Sequence, residues 1–175
     1  MNCINFIVPM NPCPCGYYPD IGRCRCTESA IRKYQSRLSG PILDRIDVFA
    51  EVSALTMEEL SFDRDKPGEG QESSAAIRSR VLRAREMQKE RGEGRFNALL
   101  TPEETDRFCE TDKEGKRLLK KVFGKLGLSA RSYYRILRVA RTIADLDGSE
   151  KIEKAHLAEA VSCRAPAELK TAEAR

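Results

Sequence analysis

The 175-residue sequence contains no G-x-x-x-x-G-K-[ST] motif. Because that glycine-rich loop holds nucleotide phosphates with its backbone N–H groups, the chain alone lacks the usual means of binding a triphosphate. It also has no run near the ~20 apolar residues that cross a bilayer, which excludes a membrane-spanning helix. Residues 1–10 lack the basic start and small-residue cleavage site of a signal peptide, so we expect a cytoplasmic protein with no membrane partner.

Histidine occurs once, and because the sequence offers His156 no partner we expect it on the surface. Cysteine is more frequent: four of the seven fall between 13 and 26, in a C-x-C pair followed by a second C-x-C pair. Cytoplasmic cysteines serve as metal ligands more often than in disulfides. We therefore predict that Cys13, Cys15, Cys24 and Cys26 hold a structural zinc ion as thiolates. The alternative is a reduced cysteine-rich hairpin.

The net charge is only +4, but its distribution is uneven. From Lys113 to Arg141 there are ten lysines and arginines and a single acid, Glu114. Such a basic block favours a phosphate or nucleic-acid partner, and an ordinary solvated surface is the alternative.

Residues 1–60 show a mixed pattern. Residues 3–10 read as a short buried strand, and a loop rich in cysteine, proline and glycine follows to about residue 27. A short helix is predicted over 29–38, and residues 46–52 alternate as a half-buried strand does. Because two strands make a poor sheet, we expect them to belong to a larger one.

The remainder is predicted to be helical after a polar linker over 61–73. We predict a helical domain over 74–165 and a flexible tail over 166–175. The helices of this domain are expected at 74–91, from Thr101 onward, around 118–126, at 129–146 and at 152–163. The fold class is therefore mainly α with a small α/β remnant.

The helix predicted over 129–146 has two distinct faces. At about 100° per residue, Arg131, Arg135 and Arg138 lie opposite the apolar stripe, with Arg141 at the flank. Like charges at this spacing repel, and Arg131 also opposes the helix dipole. An anionic ligand at Arg131 explains this placement better than a solvated face does.

Four segments together resemble the magnesium chelatase-like AAA+ ATPases of bacteria, the competence-linked ComM/YifB group. They are MNPCPCGYY at 10–18, LSGPILDRID at 38–47, GLSAR at 127–131 and RILRVARTIADL at 135–146. The resemblance covers nearly the whole chain. It implies the end of an AAA+ ATPase core followed by a helical lid, with the amino-terminal ATPase core missing.

The resemblance assigns roles to three residues. Asn11 matches sensor 1, which orients the water that attacks the γ-phosphate; a plain Asn-Pro turn is the alternative. Arg45 matches the arginine finger, which acts on the ATP of a neighbouring subunit; a surface ion pair with Asp44 or Asp47 is the alternative. Arg131 matches sensor 2, the lid residue that contacts the nucleotide.

The resemblance also implies ATP and Mg²⁺ as cofactors of the complete protein, a homo-oligomeric ring and a DNA partner. The function it implies is ATP-driven DNA branch migration in recombination or natural transformation. This chain by itself is expected to be inactive as an ATPase. A zinc-containing DNA-binding module without enzymatic activity and a magnesium chelatase subunit are the alternatives.

Overall fold

The computed structural model describes residues 6–55, 57, 72–126 and 128–164. They form two compact units that divide between Ile46 and Asp47. The linker predicted over 61–73 lies outside the described residues except for its last two positions, and the predicted tail over 166–175 lies outside them entirely. No helix in the described part is both long and apolar enough to cross a membrane.

The first unit contains the cysteine-rich loop and two short helices, α1 (Glu28–Gln35) and α2 (Gly40–Leu43). Helix α1 begins where the Thr27 hydroxyl accepts a hydrogen bond from the Ala30 N–H at 3.3 Å, as an N-cap residue does. The described residues of this unit form a small core, whose buried apolar side chains are Cys13, Ile31 and Leu43. So few buried groups among the described residues stabilise this part only weakly.

The structure corrects both strand predictions. Residues 6–10 and 46–52 form no strand in the described part of the chain, and positions 3–5 lie outside it. A strand is stabilised by hydrogen bonds to a neighbouring strand, and neither segment has such a neighbour among the described residues. Their apolar side chains are instead largely exposed, as at Val52, which is 94% exposed. The described fold is therefore helical, without the predicted α/β remnant.

The second unit is a helical bundle. Among its described residues the helices are α3 (Ser74–Arg91), α4 (Pro102–Phe108), α5 (Lys113–Leu126), α6 (Ala130–Leu146) and α7 (Lys154–Ser162). A short 3₁₀ turn over Asn97–Leu99 separates α3 from α4. The predicted bounds of α3 and the predicted start and end of α6 are confirmed.

Local capping explains where these helices begin. The hydroxyls of Ser73 and Ser129 each accept a hydrogen bond from a first-turn N–H at 3.2 Å. At the start of α4, Thr101 accepts from the Glu104 N–H, and the Glu104 carboxylate accepts from the Thr101 N–H at 2.8 Å. This reciprocal pair is a capping box, and Pro102 occupies the first helical position as predicted.

Helix α6 supplies much of the core of the bundle, because it packs against α3, α4 and α7 and contributes Ile136, Leu137, Ala140 and Ala144 to the buried cluster. Where α5 meets α7, the absence of a side chain at Gly115 permits close approach. A Cβ there would lie 2.6 Å from the Cδ1 of Leu157. The buried apolar core residues are Leu100, Cys109, Leu119, Leu128, Ile136, Leu137, Ala140, Ala144, Ile152, Leu157 and Ala160.

His156 is buried, contrary to the surface position expected from the sequence; it is 6% exposed. Its Nδ1 accepts a hydrogen bond from the Glu153 N–H at 3.0 Å, and its Nε2 lies 3.3 Å from the Asp147 carboxylate. His156 stands three residues after the N-cap of α7 and fills the capping-box place that Glu or Gln usually takes.

Candidate functional site

The four clustered cysteines converge in the first unit. The sulfur of Cys13 lies 3.3 Å from that of Cys15 and 3.8 Å from that of Cys24, and the last two sulfurs are 3.6 Å apart. All four sulfurs, including that of Cys26, lie within 4.8 Å of one another. Cys13 is buried and Cys15 is exposed. The cluster could hold a metal ion at one edge of the loop.

The sulfur separations fit a single tetrahedral ion. A Zn–S bond of about 2.3 Å in tetrahedral geometry places neighbouring sulfurs about 3.8 Å apart. The three measured separations, from 3.3 to 3.8 Å, are close to that edge length. They far exceed the S–S bond of about 2.05 Å in a disulfide, and all four cysteines are free.

The backbone of the loop turns the sulfurs inward. Gly16 has φ of +85°, a left-handed conformation that glycine adopts without strain, and its N–H donates to the Cys13 carbonyl at 3.1 Å. The Tyr18 N–H then donates to the Cys13 sulfur at 3.4 Å. A second turn follows, in which the Asp20 carboxylate accepts from the Gly22 N–H at 2.9 Å. The two turns bring the C-x-C pairs face to face.

The thiols of the cluster differ in acidity. Hydrogen bonding from the backbone at Tyr17 and Arg25 lowers the pKa of Cys15 to about 6. A hydrogen bond from the Cys15 backbone also lowers the pKa of Cys26. The Cys15 side chain and desolvation outweigh that hydrogen bond and raise the pKa of Cys26 to about 11. The negative charge of one thiolate therefore raises the pKa of the neighbouring thiol. A bound cation would offset that charge and let all the thiols ionise.

Asn11 precedes the cysteine loop and is exposed. The segment before it, residues 6–10, forms no strand in the described part of the chain. Its side-chain amide packs over Gly16, where a Cβ would lie 3.8 Å from the Asn11 Cγ. The Asn11 side chain therefore lies beside the turn at Gly16, which also positions Cys13. The amide adds a neutral polar group to the exposed face of the loop.

Arg45 follows α2 directly and is also exposed. Its guanidinium donates to the Pro41 carbonyl at 3.0 Å, one helical turn earlier. One of the two acids considered as its alternative partner, Asp47, is engaged within the second unit, 3.3 Å from the Nε of Arg135. Among the described residues, Arg45 makes no ion pair with an acid, so the predicted alternative of a surface ion pair is not seen there.

The arginines of α6 have different surroundings, which the periodicity of the sequence did not separate. Arg135 pairs with Asp47 at 3.3 Å, and Arg138 donates to the Leu100 carbonyl at 3.0 Å. Arg131 is exposed in the first turn and makes no hydrogen bond or ion pair with any described residue. Of the three arginines predicted on the polar face of this helix, Arg131 is the one that the described fold does not use.

Arg141 is buried, 1% exposed, rather than placed at the flank of a solvated face as expected. Its Nε lies 3.0 Å from the Asp145 carboxylate, and its other nitrogens donate to the carbonyls of Glu150 at 2.8 Å and Ser149 at 2.5 Å. The spacing of four between Arg141 and Asp145 was the signal in the sequence. This arginine therefore ties the end of α6 to the turn that follows.

Two family models match the chain, and together they cover most of it. Residues 2–60 match the model described as "Magnesium chelatase, subunit ChlI", and residues 71–164 match "Magnesium chelatase, subunit ChlI C-terminal". The chain therefore belongs to the magnesium chelatase-like family of the ComM/YifB type, a family of AAA+ ATP-binding proteins.

Individual relatives agree with this assignment. The chain is 43% identical over 159 residues both to the competence protein ComM of Haemophilus influenzae and to the uncharacterized protein YifB of Escherichia coli. An uncharacterized protein of Mycobacterium bovis is 34% identical over 145 residues. The first two matches cover 91% of this chain and 30% of each relative, so the chain spans less than a third of their length.

Proposed function

We propose that this chain supplies the sensor, arginine-finger and lid residues of an AAA+ ATPase that drives DNA branch migration in recombination or natural transformation. Family membership supports the ATPase, and similarity to a relative named as a competence protein supports the process. In the complete protein, ATP and Mg²⁺ bind to a P-loop domain that precedes this segment, and subunits assemble into a homo-oligomeric ring.

The observation that carries the proposal is the isolated position of Arg131. Its two neighbours on the same face, Arg135 and Arg138, are held by contacts within the fold, whereas Arg131 is exposed in the first turn of α6. A cation there opposes the positive end of the helix dipole, so it does not stabilise the helix. An arginine without a folding role is suited to bind the γ-phosphate as sensor 2.

Two further residues complete the proposed site. Arg45 acts as the arginine finger and donates its planar cation to the transition state on the ATP of a neighbouring subunit. Asn11 acts as sensor 1 and orients the attacking water with its neutral amide. The exposure of both side chains supports this proposal, since each has to reach a nucleotide outside the described residues.

The proposal includes one zinc ion, bound by Cys13, Cys15, Cys24 and Cys26. Four thiolates with no histidine form a closed tetrahedral set, which is typical of a structural rather than a catalytic zinc site. The separations of the sulfurs and the small core of the first unit support it. The ion would stabilise the loop that joins Asn11 to α1.

Substitution of Arg131 tests the proposal. In a full-length protein that carries this segment, Arg131→Ala should lower ATP turnover by roughly 10²-fold, as loss of a charge-stabilising donor does. In this chain alone the same change should leave the free energy of unfolding within about 0.5 kcal/mol, because no internal contact is lost. The measurements are steady-state ATPase rates and chemical denaturation.

Arg83→Ala is the matched control, because Arg83 is an exposed arginine on α3 with no partner among the described residues. It should leave both turnover and stability unchanged. If Arg131→Ala and Arg83→Ala give the same turnover, Arg131 has no role at the nucleotide.

A further inference from the structure

The solvent-facing side of α5 carries five cations, which we call the α5 basic face. All five side chains are exposed. At about 100° per residue they cover roughly 140° of the helix, a sector that does not include the buried Leu119. The residues of the α5 basic face are Lys113, Lys116, Arg117, Lys120 and Lys121.

The described fold leaves these charges uncompensated. None of the five makes an ion pair with a described residue, and the acid of the helix, Glu114, pairs instead with Lys154 of α7 at 3.3 Å. Cations three and four residues apart on one helix repel each other. By contrast, Arg135 and Arg141 of α6 each have an acidic partner. The charge of this face therefore does not serve the fold.

A groove extends the face toward α7. It lies between α5 and α7 and is lined by Glu114, Arg117, Leu118, Lys121 and Lys154. Three of these side chains are cations, and one of them, Lys154, pairs with Glu114. Positive charges still outnumber negative ones in the groove, which also has the apolar Leu118 in its lining. An anionic chain lying along α5 would pass over this groove and meet cations from two elements.

We propose that the α5 basic face and the adjoining groove bind the phosphodiester backbone of DNA without reading its sequence. The face offers cations at intervals of one helical turn, about 5.4 Å. Lysines dominate it, and lysine is a point charge suited to phosphate rather than to base edges. This proposal rests on the proposed function, because DNA is the polyanion that a branch-migration motor binds.

The test is binding of this chain to a fluorescent 25-base-pair duplex at several salt concentrations. Replacing Lys116, Lys120 and Lys121 with Gln should weaken binding at least tenfold at 0.1 M salt. The slope of log K against log salt should fall by about 2 to 3, because each phosphate contact contributes about 0.9. The matched control replaces Arg78, Arg83 and Lys89 on α3 with Gln and should change neither quantity. Circular dichroism checks that both variants keep their helices.

Three results would overturn the inference: no duplex binding by the unchanged chain, equal weakening by the α3 variant, or equal competition by polyglutamate at matched charge. The second result places DNA elsewhere on the chain and leaves the proposed function standing. The nucleotide site is tested separately by Arg131→Ala, so failure of the DNA surface and failure of the ATPase proposal give different results.

Discussion

Asp145 is the residue on which the buried charges of the bundle converge. Its carboxylate accepts hydrogen bonds from Arg141 at 3.0 Å, from Asn97 at 2.8 Å and from two nitrogens of Arg91. Its side chain is fully buried. Removing the carboxylate would leave the buried Arg141 guanidinium without a counter-charge, and the local dielectric makes that expensive.

We therefore expect Asp145→Ala to lower the free energy of unfolding by about 3–5 kcal/mol, the usual cost of breaking a buried ion pair from one side. Glu114→Ala is the control, since the exposed pair with Lys154 should contribute only about 0–1 kcal/mol. Urea denaturation followed by circular dichroism measures both. Similar small losses in the two variants would show that the network does not stabilise the bundle.

At the scale of the element, the start of α4 links a helix cap to pH. The pKa of Glu104 is held below its ordinary range, chiefly by its hydrogen bond with the Thr101 backbone and further by Arg95. A depressed pKa in the folded state means that the contribution to stability is complete above the ordinary glutamate pKa. It is lost as the pH falls through the lower folded value.

The lowered pKa of Glu104 makes the effect of its substitution depend on pH. Glu104→Gln should be less stable than the wild type at pH 7, and the difference should shrink as the pH falls below about 4. Thermal unfolding at pH 7, 5, 4 and 3 measures it. A stability difference that stays constant across this range would contradict the proposed linkage. Lys113→Gln, on the basic face of α5, should show no such trend.

Helix boundaries could be predicted because their causes are local. Ser73, Thr101 and Ser129 lie within three residues of the N–H groups they cap, so the sequence alone indicates the start of each helix. The strand predictions over 3–10 and 46–52 were wrong in the described part of the chain, because an apolar run or an alternating pattern indicates only an extended segment. A strand also requires a neighbouring strand, which the described residues do not contain.

The arginines of α6 also show which features are predictable from local sequence and which depend on distant residues. Periodicity placed Arg131, Arg135 and Arg138 on one face, but the partners of Arg135 and Arg138 come from distant parts of the chain: Asp47 and the Leu100 carbonyl. Burial of Arg141 likewise depends on Ser149 and Glu150 beyond the helix end. The cysteine cluster was predictable from spacing because short turns bring its members together; the roles of Asn11, Arg45 and Arg131 stay predictions.

At the scale of the whole molecule, the two units should respond differently to metal removal. Among the described residues, the first unit has three buried apolar side chains, whereas the bundle has an extensive core. We expect one zinc per chain, and we expect chelation or Cys13→Ser to increase hydrogen exchange over residues 13–43 while leaving residues 130–162 protected. Cys163→Ser, outside the cluster, is the control.

Elemental analysis and hydrogen-exchange mass spectrometry make these measurements. A clearly substoichiometric content of every transition metal in protein prepared without chelators would contradict the zinc proposal. So would an exchange pattern in the first unit that is the same with and without chelator.

The whole-molecule proposal assigns Arg45 to the active site of a neighbouring subunit. Loss of an arginine finger costs roughly 10³-fold or more in rate, far beyond the roughly 0–1 kcal/mol of a surface ion pair. The two interpretations of Arg45 therefore differ enough in magnitude for one experiment to separate them. A finger contacts the transition state of another subunit's ATP, so nucleotide binding should be spared.

The most direct measurement is ATP turnover of a full-length protein that carries this segment with Arg45→Ala, alone and mixed with subunits that lack the Mg²⁺-binding acid. We expect turnover at least about 10³-fold lower with nucleotide affinity retained. We also expect partial recovery on mixing, because the second subunit donates an intact Arg45. Turnover near that of the wild type would show that Arg45 is a surface residue and not an arginine finger.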